Sequence, residues 1–135
     1  KYVKRIINRE VCYMKYYICE HCGNIIEYVK ESGVPVMCCG QKMTEIVPGT
    51  SDGAHEKHVP VVIVDGDKVT VEVGEVEHPM VEAHYIQWIA IETTRGSQKV
   101  KLEYTDKPRA EFKLADGEEF VAAYEYCNLH GLWKK

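Results

Sequence analysis

Lys68-Val69-Thr70-Val71-Glu72-Val73 is the stretch on which the fold turns. Its period of two puts the three valines on one face and lysine, threonine and glutamate on the other, the pattern of a half-buried β-strand. Just ahead of it, Asp65-Gly66-Asp67 reads as a tight turn, and before that turn Val59 to Val64 is a nearly continuous apolar run. Further along, His84 to Thr93 reads as another strand. Arg95-Gly96-Ser97 turns into Lys99-Val100-Lys101-Leu102-Glu103-Tyr104, which alternates again. Ala110 to Leu114 and Glu119 to Tyr126 flank a turn at Asp116-Gly117. Short strands at this spacing, joined by Gly and Asp turns, predict an all-β sandwich. The sequence shows no convincing amphipathic helix, internal repeat or low-complexity tract.

Toward the N-terminus the sandwich pattern stops at Pro48-Gly49-Thr50-Ser51-Asp52-Gly53, a dense turn cluster that marks a domain boundary. Residues 14–50 form a small cysteine-rich unit, and residues 51–135 the sandwich. The short apolar stretches of the small unit, Tyr16 to Ile18 and Asn24 to Val29, are too few to hold it together by burial alone. A bound metal would supply the missing constraint. Residues 1–13 read as an N-terminal extension, with Met14 as the ancestral start.

Composition narrows the function classes. The chain has 135 residues, 45% apolar, with nine tyrosines and a net charge of -4. That is enough to bury a core, and it lacks the basic stripe of a nucleic-acid binder. No apolar run approaches membrane-spanning length, and the stretch through Ile6-Ile7 is too short for a signal-peptide core. A cytoplasmic protein is expected, in which the six cysteines serve as metal ligands rather than disulfides.

Four of those cysteines form the first constellation: Cys19-Glu20-His21-Cys22-Gly23, then Cys38-Cys39-Gly40. A Cys-x-x-Cys turn points both thiolates at one metal, and Gly23 lets the backbone bend so that amides face the sulfurs. A second pair completes a tetrahedral four-thiolate site, suited to zinc or to a single iron. The adjacency of Cys38 and Cys39 is unusual, because neighbouring side chains in an extended segment point opposite ways. A vicinal disulfide competes, but it leaves Cys19 and Cys22 unexplained. His21 reads as a surface residue, and Cys12 as a free thiol.

The second constellation lies in the sandwich: His55-Glu56-Lys57-His58-Val59-Pro60, His78-Pro79-Met80, His84-Tyr85-Ile86-Gln87-Trp88 and Cys127-Asn128-Leu129-His130-Gly131. Taken singly, each is ordinary: a histidine before a proline is usually a loop residue, a lone strand cysteine usually packs a core, and Glu56 and Lys57 are solvated side chains. Together they put histidines and a Cys-x-x-His turn at strand ends, a sound way to build a metal site on a rigid scaffold. Imidazoles with one thiolate suit iron, copper or zinc.

In this order, after a Cys-x-x-Cys and Cys-Cys-Gly unit, these segments closely resemble the desulfoferrodoxins, two-iron superoxide reductases. The resemblance runs from Met14 to Trp133. It implies a desulforedoxin-like unit followed by an immunoglobulin-like β-sandwich, with two iron ions per chain. Cys19, Cys22, Cys38 and Cys39 would hold the first iron. His58, His78, His84 and His130 would supply the equatorial nitrogens of the second, and Cys127 its axial thiolate. Glu56 and Lys57 match the mobile Glu–Lys pair beside the open position; His55 is not among the matched ligands. The implied activity is one-electron reduction of superoxide to hydrogen peroxide, a defence against oxidative stress in an anaerobe. Re-reduction by rubredoxin or a similar carrier and a homodimeric state are implied as well. Two other readings compete. A two-iron electron-transfer protein would need no open coordination position, and a structural zinc module would be colourless.

Overall fold

The computed structural model describes residues 13–51 and 53–135. The expected extension therefore lies outside the described residues except for Tyr13, and so does Cys12. Internal packing divides the described chain into two compact units, Tyr13–Val47 and Pro48–Lys135. No helix among the described residues is long and apolar enough to cross a membrane.

The smaller unit is a three-stranded antiparallel sheet and a hairpin. Strands β1 (Tyr16–Ile18), β2 (Ile25–Glu27) and β5 (Thr44–Ile46) pair in the order β2-β1-β5. The hairpin consists of β3 (Met37–Cys38) and β4 (Gln41–Lys42). Its buried side chains are few: Tyr16, Cys19 and Met43. So small a core cannot offset chain entropy unaided, which leaves a stabilising role for the cysteine site.

In the larger unit, α1 (His55–His58) leads into β6 (Pro60–Asp65), β7 (Lys68–Val73), β8 (Ile86–Thr93), β9 (Gly96–Lys101), β10 (Arg109–Lys113), β11 (Phe120–Cys127) and β12 (Gly131–Lys134). One sheet has the order β10-β7-β6 and the other β12-β11-β8-β9, all pairs antiparallel. Val69, Val71 and Val73 are sealed in the core with Ile86, Ile89, Ile91, Phe112, Ala123 and Cys127. The alternation at 68–73 thus marks the centre of one sheet, and β8 and β11 form the centre of the other.

Three details depart from the sequence-based reading. The turn before β9 falls at Thr94-Arg95, with Thr93 paired to Gly96, so the strand begins and ends earlier than its alternation suggested. The segment after His130 is a strand, β12, added to the edge of β11. And His55–His58 closes one helical turn, Val59 N–H donating to the His55 carbonyl at 2.9 Å. A single turn is too short to show a helical period in sequence.

Candidate metal centres

In the smaller unit the Cys19–Gly23 turn is closed by Gly23 N–H to the Cys19 carbonyl and Cys19 N–H to the Asn24 carbonyl, both 2.9 Å. Gly23 has φ 83°, and the Cys22 N–H points at Cys19 Sγ from 3.4 Å. The adjacent cysteines converge for a different reason. Cys38 ends β3 in extended backbone, whereas Cys39 is left-handed at φ 54° and is followed by Gly40 at φ 72°. That reversal swings the second thiol to the same side as the first. Both remain free thiols, so the vicinal disulfide is not formed. The four sulfurs lie within 4.8 Å of one another. Their protonation is divided unevenly: the Cys22 amide draws the Cys19 thiol down to about 6, while hydrogen bonding with Cys22 and then Cys19 pushes Cys39 up to about 12. Four sulfurs this close cannot all ionise without a cation among them.

The second cluster draws on four segments. His58 ends α1, His78 and His84 lie within the connection between β7 and β8, and Cys127 and His130 flank the β11–β12 turn. One donor atom from each lies within 4.8 Å of the others. Two of the rings are oriented by backbone carbonyls. His58 Nδ1 meets the Ala54 carbonyl and His78 Nδ1 the Pro79 carbonyl, each at 2.7 Å. A carbonyl only accepts, so each Nδ1 carries the proton. Burial lowers the pKa of both rings, His78 to about 4, so each is neutral with its single proton already placed. Their Nε2 atoms, 3.1 Å apart, are therefore two lone pairs facing each other. That contact is repulsive unless a cation lies against both. His84 Nε2 is buried with no hydrogen-bond partner among the described residues, and His130 Nδ1 stands 3.9 Å from Cys127 Sγ. Inward lone pairs with outward N–H groups held by carbonyls are the arrangement of metal-bound imidazoles. Burial raises the Cys127 thiol, and the backbone amides of His130 and Leu129 oppose that rise. A metal would tip the balance toward thiolate. Five nitrogen and sulfur donors exceed the four of a structural zinc site and suit iron.

The surroundings add residues that sequence reasoning passed over. Asn128 ties two ligand segments together: its Oδ1 accepts from Tyr85 N–H at 2.9 Å, its Nδ2 donates to the Ala83 carbonyl at 3.0 Å, and its own N–H donates to the Tyr85 carbonyl at 3.2 Å. It lies inside the Cys-x-x-His turn, which was the available signal. Trp133 stacks on His58 with centroids 5.0 Å apart and donates from Nε1 to the His130 carbonyl at 3.0 Å; the Ser51 hydroxyl donates to the same carbonyl. Gly53 leaves room for the ligands, since a Cβ there would lie 2.9 Å from both His58 Cε1 and His130 Cβ. Glu125 is fully buried two residues before Cys127, and its carboxyl has no hydrogen-bond partner among the described residues. Burial pushes it up to about 9, so it is neutral at neutral pH and adds no second negative charge beside the thiolate. A lone charge in an otherwise apolar strand was its signal.

The desulfoferrodoxin family model matches residues 50–135. The chain belongs to the desulfoferrodoxin family. A desulfoferrodoxin of Nitratidesulfovibrio vulgaris is 48% identical over 118 residues, covering 87% of this chain and 92% of the relative. A superoxide reductase of Pyrococcus horikoshii is 34% identical over 102 residues, covering 63% of this chain and 89% of the relative. Among solved structures, the superoxide reductase of Treponema pallidum superposes with a TM-score of 0.77 at 35% identity, over 92% of this chain and 99% of that one. The four-thiolate and the four-imidazole, one-thiolate donor sets of this desulfoferrodoxin family member are consistent with two iron centres. Glu56 and Lys57 lie on the exposed turn of α1 beside the second set, and the Lys57 ammonium is near enough to His58 and His84 to help lower both rings. His55 stands apart from the donors, its ring against Trp133 at 5.2 Å.

Proposed function

We propose that this chain is a superoxide reductase whose second centre carries out the reaction O2•− + e− + 2H+ → H2O2. The observation that carries the reading is the convergence of His58, His78, His84, His130 and Cys127 on one point with a lysine at its rim. Iron bound there would supply the single electron. His58 and His78 are buried, while His84 and His130 are half-exposed, so a small anion has an approach on their side. Lys57 attracts that anion and orders water for proton delivery. Glu56 offers a carboxylate at the same rim, a cap for the oxidised resting site. Cys127, at the protein side of the cluster, donates electron density from within the core.

The remaining assignments belong to the same reading. Electrons come from a rubredoxin-like carrier, and the exposed Cys22 and Cys39 make the four-thiolate centre accessible to one. Residues 14–50 act as a desulforedoxin-like domain and 51–135 as the catalytic domain, in a cytoplasmic homodimer; the family resemblance supports these points. The test is anaerobic mixing of the reduced, iron-loaded chain with superoxide. Peroxide without dioxygen supports the reading, and inertness of the reduced second centre overturns it.

A further inference from the structure

Of the five donors only His58 shares a segment with the Glu56–Lys57 pair, so something must set that short turn against the other four. α1 does little of this by itself. It is one turn long, its N-cap Ala54 has no capping side chain, and Lys57 N–H reaches the Ala54 carbonyl at only 3.2 Å. The external support comes from the segment that leads from β7 to the ligand His78. His78 N–H donates to the Val73 carbonyl at 2.9 Å, closing residues 73–78 into a loop. Within that loop Val76 N–H donates to the Glu56 carbonyl at 2.8 Å, and Gly74 N–H to the Val76 carbonyl at 3.3 Å. Gly74 lies directly against the Glu56–Lys57 backbone. A Cβ there would lie 2.8 Å from Lys57 C, 2.9 Å from Glu56 O and 3.0 Å from Lys57 O. These are backbone atoms and cannot rotate aside as a side chain would. Gly74 is not in the left-handed region, so what demands glycine here is the close approach.

We infer that the Val73–His78 loop is a seat that fixes the Glu56–Lys57 turn relative to the donor cluster, with Gly74 as its positioning residue. The inference rests on the superoxide reductase reading for its meaning, and on backbone contacts for its existence. One ligand, His78, and the two rim residues then share a single support. A displacement of that support moves the ammonium without removing any donor.

The test uses the full chain as parent, Gly74→Ala, Lys57→Ala and the double variant. In zinc-loaded protein, amide hydrogen exchange reads the seat with no turnover. Gly74→Ala is expected to speed exchange at the Val76 N–H by about tenfold, the loss of one hydrogen bond, with metal retained at both centres. In iron-loaded protein it slows the superoxide reaction in the parent and has no further effect in Lys57→Ala, because it acts through the lysine. Unchanged Val76 exchange overturns the inference, as does equal slowing in both backgrounds. Should Gly74→Ala fail to fold, Val76→Pro removes the same donor without adding a methyl at the contact; the exchange readout then moves to the Lys57 N–H, which closes the seated turn on the Ala54 carbonyl and should exchange faster, and the superoxide comparison applies unchanged. A parent inert toward superoxide defeats the functional reading instead, while the exchange comparison still decides the seat.

Discussion

At the scale of single residues, Lys57 is a local charge acting against a global one. The chain carries a net charge of -4, which does not attract an anion. An ammonium beside His58 and His84 acts over a few ångströms, inside the screening length of about 8 Å at physiological ionic strength. Lys57→Ala should slow the first bimolecular step with superoxide by roughly tenfold at low salt and flatten the fall of that rate with added salt. Lys57→Arg should keep most of the rate, because the charge remains. A salt series by stopped flow or pulse radiolysis reads both, and an alanine variant with the parent's rate and slope would make Lys57 a bystander. Glu125 acts in the opposite sense, on stability. Its carboxyl is sealed in the core without a hydrogen-bond partner among the described residues. Such a group costs about 1–3 kcal/mol. Glu125→Met, of similar length and apolar, should therefore raise the melting temperature of the metal-free protein; a fall would mean that the carboxyl makes a contact its burial does not disclose.

Elements explain which parts of this structure could be read in advance. The valines of β7 and the Asp65-Gly66-Asp67 turn declare themselves because burial on one face and a glycine at φ 61° leave local marks in sequence. The nine metal donors were legible as a pattern matched to a family, whereas spacing alone left iron and zinc open. What was not legible is carried by backbone groups: the Ala54 and Pro79 carbonyls that orient two imidazoles, the left-handed Cys39, the single turn of α1, and β12, whose four residues are too few to show a period. Asn128 lies between these cases, a motif residue whose work appears only when the segment at Ala83–Tyr85 folds against it. Asn128→Ala removes two side-chain hydrogen bonds and should lower stability by about 1–3 kcal/mol. It should also loosen His84, so that the second centre loses metal to a chelator faster than the four-thiolate centre does. Equal loss from both would mean that Asn128 supports the fold and not the ligand.

At the scale of the whole molecule the two centres should be chemically separable, since each donor set is complete within its own compact unit. Cys38→Ser should disrupt the four-thiolate centre and leave the second centre and its superoxide reaction in place. Loss of that reaction in a folded variant that retains the second iron would show that the centres depend on each other. The imidazole–thiolate centre is proposed to reduce superoxide rather than to dismutate it or merely pass electrons. The most direct measurement is pulse radiolysis of the reduced, iron-loaded chain with peroxide and dioxygen both quantified. The expected result is one peroxide formed and one centre oxidised for each superoxide consumed, with no dioxygen evolved. One dioxygen for every two superoxide ions, or no oxidation of the second centre at all, would contradict it.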